Sequence, residues 1–156
     1  MKKVTAIEKI KENSTGMTAL MAVLGLLCLA GTALGLGDAI YHSSFSEKKE
    51  EMAQLLSTGP VFAACAFIAA FVFSRISRTG VPFTDTAVKG LKSIAYLFFA
   101  GSFLPNVLLS VFCGKYDTVN GSFIEVAMLV PSILIFCIAE FFNYGVMLQK
   151  ESDETL

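Results

Sequence analysis

Long apolar stretches alternate along this chain with short segments that collect most of its charge. Predominantly apolar runs extend from Met17 to Leu36, from Thr58 to Ser74, from Leu91 to Cys113 and from Phe123 to about Leu148. A bilayer core about 30 Å thick takes roughly 20 residues at a helical rise of about 1.5 Å each. Lipid offers backbone amides no partner, so each run is expected to be helical. The pattern predicts an all-α, polytopic membrane protein: a four transmembrane helix bundle in a single integral membrane domain covering residues 1–156.

Turn and cap residues sharpen these limits. Pro60 behind Thr58-Gly59 suits the start of a helix. Ser122, with Glu125 three residues on, reads as a capping box opening the fourth span, and Asn120-Gly121 supplies the turn before it. A second box, Ser44 with Glu47, precedes a stretch to Leu56 whose Met52, Leu55 and Leu56 suit a short helix lying on the membrane surface.

Orientation follows from the lysines and arginines. Lys2, Lys3, Lys9 and Lys11 precede the first span, Arg75, Arg78, Lys89 and Lys92 surround the middle connection, and Lys150 lies in the tail. The other two loops hold only Lys48, Lys49 and Lys115. Both termini and the middle connection are therefore expected in the cytoplasm. The Met-Lys-Lys opening also fits a cleaved signal peptide. The full span length and the acidic residues Glu8 and Glu12 ahead of it favour a retained helix.

Composition narrows the function classes. With 54% hydrophobic and 16% charged residues in 156, the chain is short of polar surface to cover a water-soluble domain. A net charge of −1 speaks against direct binding of nucleic acid. Cys28, Cys65, Cys113 and Cys137 lie in or beside apolar runs with no C-x-x-C spacing, and the lone His42 falls in the first outer loop. Neither a metal site nor a cofactor is expected. No H-E-x-x-H, G-x-S-x-G or nucleotide-binding glycine loop occurs, so no catalytic residue is named and no enzyme activity is expected.

The candidate chemistry lies inside the spans. Gly31 and Gly35, like Ala66 and Ala70, have the spacing of close helix contacts, either within the chain or in a homo-oligomer. Ser102, Asn106 and Ser110 share one face of the third span, which is expected to look at protein or water. Pro105 and Pro131 free the carbonyls of Gly101 and Ala127 at similar depth, and Asn106 or a water is expected to satisfy one of them. On the fourth span, Glu125, Ser132, Phe136, Glu140 and Asn143 fall on one arc. Glu140 is the acid well inside an apolar run, so it should be paired, protonated or in a wet cleft, with Arg75 and Arg78 as candidate partners.

The middle connection reads Val81-Pro82-Phe83-Thr84-Asp85-Thr86-Ala87-Val88-Lys89-Gly90-Leu91-Lys92-Ser93-Ile94-Ala95-Tyr96. Thr84 or Asp85 caps a helix whose Lys89 and Lys92 sit at headgroup level. This Phe-Thr then Val-Lys-x-Leu-Lys-x-Ile-x-Tyr pattern resembles the domain of unknown function 2975 family of small bacterial four-span membrane proteins. The chain's end, Glu151-Ser152-Asp153-Glu154-Thr155-Leu156, is similar to that family's terminal signature, with Glu154 where an apolar residue is usual. The resemblance implies a membrane protein often encoded beside a small helix-turn-helix transcription regulator.

Two functions follow as expectations. The first is a non-enzymatic membrane sensor or partner of such a regulator, touching it or lipid headgroups through Arg75, Arg78, Phe83, Lys89 and Lys92. The second is a small transporter or channel-like subunit holding a solute between spans three and four, at Ser102, Asn106, Ser132, Glu140 and Asn143.

Overall fold

The computed structural model describes residues 2–41, 49–113 and 123–154. The expected turn at Asn120-Gly121, the caps at Ser44 and Ser122, and His42 fall outside these residues. The described chain is four helices, α1 (Lys2–Tyr41), α2 (Lys49–Thr79), α3 (Asp85–Cys113) and α4 (Phe123–Glu154). All four are long and apolar enough to cross a membrane.

The helices are longer than the apolar runs. With 40 residues, α1 reaches about 60 Å at the helical rise, twice a hydrocarbon core. Nothing between Lys2 and Met17 breaks a helix, and this segment has a neighbour: Ile7 and Lys11 lie against Gly80, and the Thr15 and Ser77 hydroxyls are hydrogen-bonded at 2.7 Å.

Pro60 does not start a helix. It lies inside α2, which runs unbroken from Lys49, so the segment up to Leu56 is the first part of the span-forming helix rather than a separate surface helix. Proline removes one amide donor, but the turn before it is braced. Ser57 and Thr58 both donate their hydroxyls to the Gln54 carbonyl, at 2.9 and 2.7 Å, and Ser57 is fully buried. Thr32 of α1 packs on Gly59.

At its other end α2 stops at Gly80, whose positive φ of 72° lets its amide donate back to the Ile76 carbonyl at 2.7 Å. This left-handed cap turns the chain into the short link to α3. There Thr84 is the N-cap, its Oγ1 accepting from the Ala87 amide at 3.2 Å.

Among the described residues the helices pack in chain order: α1 on α2, α2 on α3, α3 on α4. The first and last do not lie against each other, so the assembly is an open row of antiparallel helices. Small residues set the approach at the α1–α2 and α2–α3 seams. A methyl at Gly59 would collide with Thr32, one at Gly90 would collide with Val72, and one at Gly101 would come within 3.0 Å of Val61. The Gly31 and Gly35 pair is divided: Gly35 faces Leu55 of α2, whereas Gly31 faces open space.

A buried cluster of Val72, Ile76 and Ala87 lies at the end of the bundle near the α2–α3 link, with Ile10, Phe73 and Phe142 packed on it. Beside it is an apolar cavity of about 100 Å³ lined by residues that include Ala69, Phe73, Leu91 and Ile94. Elsewhere large apolar side chains point outward, as with Leu27 and Leu34 on α1 and Phe141 on α4. Helices that are apolar over most of their surface are suited to lipid rather than water.

Candidate functional site

Two ion pairs and a buried hydrogen bond join α3 and α4 along their seam. At the outer edge of that seam Asp85, in the first turn of α3, receives the Lys150 ammonium at 3.4 Å. Both side chains are well exposed, so this pair contributes little beyond fixing the register. Phe83 packs against Phe142 with ring centroids 5.1 Å apart and the rings tilted by 51°, and only a glycine at 145 leaves room for its ring.

Further along, Lys92 and Glu140 form an ion pair at 2.8 Å. Asn143, on the same arc of α4, donates to the other Glu140 oxygen at 3.4 Å. The Lys92 ammonium also lies 5.9 Å from the centre of the Phe136 ring, which meets Tyr96 edge-on at 6.1 Å. A cation over an aromatic face adds about 0.5–1 kcal/mol at an exposed site. Deeper still, Ser132 is buried and donates its hydroxyl to the Ala95 carbonyl at 3.0 Å.

The partner of Glu140 is thus Lys92, not Arg75 or Arg78. Both arginines stand on α2, and α3 intervenes between α2 and α4. Arg75 instead lies over the Phe71 ring at 5.4 Å. Arg78 and Lys89 are exposed. Of the five residues named for cytoplasmic contact, Phe83 and Lys92 are engaged in the α3–α4 seam, while Arg75, Arg78 and Lys89 stay outside it.

The polar face of α3 is also divided. Ser102 is buried and bonds the Phe99 carbonyl in its own helix at 2.7 Å, and Ser110 does the same to Val107 at 2.8 Å. Pro105 is fully buried beside them, yet Asn106 lies on the exposed side. The apolar cavity near Val72 is lined by none of Ser102, Asn106, Ser132 and Glu140. Cys65 is buried where α2 meets α3, its sulfur 4.0 Å from the Ile94 carbonyl. Among the described residues no three of His, Cys, Asp and Glu stand close enough together to hold a metal ion.

Reading the sequence missed Tyr96 as a neighbour of Phe136 and Thr32 as the residue opposite Gly59. For Tyr96 a signal existed: it follows Lys92 by one helical turn, as Phe136 precedes Glu140, so an antiparallel pairing brings both sets together. No family model, curated protein sequence or solved structure matches this chain.

Proposed function

We propose that the protein is a non-enzymatic membrane partner of a cytoplasmic protein, held in a bacterial inner membrane with both ends inside. The observation that supports this reading best is the outward basic group at the α2–α3 end of the row: Arg75, Arg78 and Lys89 stand outside the helix seams. The helical segment of α1 before Met17 packs along the same end, through Thr15 and Ser77. A basic surface of this kind suits an acidic protein face. The class of partner, a small helix-turn-helix regulator, comes from the resemblance of residues 81–96 and of the chain's end to the domain of unknown function 2975 family.

A solute-binding transporter or channel-like subunit has less to support it. Ser102, Ser132 and Glu140 are each hydrogen-bonded within the helices or across their seam, and the described cavity is apolar. A transport site near the membrane midplane calls for converging polar groups.

The test is cross-linking in native membranes followed by purification of the tagged protein. Recovery of a regulator with the wild type, and its loss in an Arg78→Glu/Lys89→Glu variant that still reaches the membrane, supports the reading. Equal recovery of nothing from both, with the regulator expressed, sinks it.

A further inference from the structure

The Lys92–Glu140 pair is not enclosed. The side chains are 31% and 48% exposed, and beside them Tyr96, Phe141 and Tyr144 are turned outward as well. The pair therefore opens sideways from the α3–α4 seam, toward whatever surrounds the helices in the membrane. Lys92 lies about 10 Å along α3 from Asp85 by helical rise. A headgroup layer is about 6 Å deep on each side of the hydrocarbon core. With the exposed Asp85–Lys150 pair at the water-facing edge of the headgroup layer, the Lys92–Glu140 pair falls about 4 Å past the boundary between headgroups and acyl chains, beside aromatic rings of the kind that favour that boundary.

The chemistry of the pair is only partly used. An ammonium donates three hydrogen bonds and a carboxylate accepts about four. Lys92 donates to Glu140, and Glu140 accepts from Lys92 and Asn143. The remaining donors and acceptors are adjacent, one set positive and one negative, at a level where water is scarce. The complement to such a pair is a group that carries a negative and a positive charge side by side.

We propose that Lys92, Glu140 and Asn143 form a binding site for a zwitterionic phospholipid with a primary-ammonium headgroup of the ethanolamine type. The lipid phosphate meets the Lys92 ammonium, and the headgroup ammonium meets the Glu140 carboxylate and the Asn143 amide oxygen. Phe141 and Tyr144 flank the acyl chains. A purely anionic lipid is disfavoured because Glu140 repels it. A choline headgroup has no N–H to donate to Glu140 and Asn143. The site does not depend on any cytoplasmic partner.

The experiment uses the purified full chain in mild detergent, incubated with equal amounts of phosphatidylethanolamine, phosphatidylcholine and phosphatidylglycerol of identical acyl chains. Retained lipids are read by native mass spectrometry. The wild type should keep the ethanolamine lipid several-fold over the other two, and stepwise N-methylation of the headgroup should lower retention in steps. Glu140→Gln, with helical content unchanged, should lose the preference. Equal retention of all three lipids by the wild type, or a preference for phosphatidylglycerol, overturns the proposal. So does a folded Glu140→Gln variant that keeps the full preference. The methylation series needs no variant and decides the matter if the substituted protein fails to fold.

Discussion

Thr32 of α1 and Gly59 of α2 meet so closely that the space a β-carbon would need at position 59 is taken by the Thr32 side chain. The threonine is held there by its own bond to the Cys28 carbonyl, at 2.6 Å. Gly59→Ala is predicted to destabilise the protein by about 1–3 kcal/mol through overpacking, even though alanine is the better helix former. Thr32→Ala should relieve much of that cost, giving a coupling of about 1–2 kcal/mol between the two sites. Unfolding followed by circular dichroism as sodium dodecyl sulfate is added reads both numbers. Additive effects would contradict the contact.

The segment before Met17 is predicted to lie along the end of α2. With the native cysteines replaced, Thr15→Cys/Ser77→Cys should form a disulfide on mild oxidation, because the two hydroxyls it replaces are 2.7 Å apart. A Thr15→Cys/Lys150→Cys control should not, since α1 and α4 do not pack together. Gel mobility with and without reductant distinguishes them.

Much of this fold is legible in the sequence, and the parts that are not have physical reasons. Span length and apolarity are local properties, so the four helices could be read directly. How far a helix runs past the membrane depends on what it packs against, and nothing in Lys2 to Gly16 announces Ser77 or Gly80. Pro60 misleads because Thr58-Gly59-Pro60 looks like a start signal from within its own segment; the Gln54 carbonyl bonds and the Thr32 contact that sustain the helix lie upstream and on another helix. Glu140 was recognisable as needing a partner. Which cation it takes depends on which helices are neighbours, and that is set by packing rather than by charge.

The bond from Ser132 to the Ala95 carbonyl is predicted to matter little by itself. Ala95 lies within α3 and retains its helical partner when the hydroxyl is removed, so no buried acceptor is orphaned. Ser132→Ala should cost about 0.6 kcal/mol, in line with side-chain hydrogen bonds between membrane helices. Ser132→Leu, which enlarges a buried residue, should cost about 1–3 kcal/mol. The same unfolding assay ranks them, and a larger loss for alanine than for leucine would show that the hydroxyl has another task.

The proposed sidedness rests on the distribution of lysine and arginine. In a cysteine-free background, Ile40→Cys should react with a membrane-impermeant maleimide added outside intact cells. Arg78→Cys and Lys150→Cys should react only after permeabilisation. Labelling of position 150 from outside would place the tail on the wrong side and overturn the proposed orientation.

The serial arrangement of the helices bears on how the protein is made. Among the described residues, close backbone contacts between helices join only helices that are consecutive in synthesis. Such a chain can assemble as it enters the bilayer, α1 closing on α2 before α3 has emerged, with no early helix waiting for a late one. Short sequence separation between partners also favours rapid docking. The order of translation and the order of packing are then the same, and an interruption after α2 would leave a helical hairpin whose own seam, from Gly80 to Gly35, is already complete.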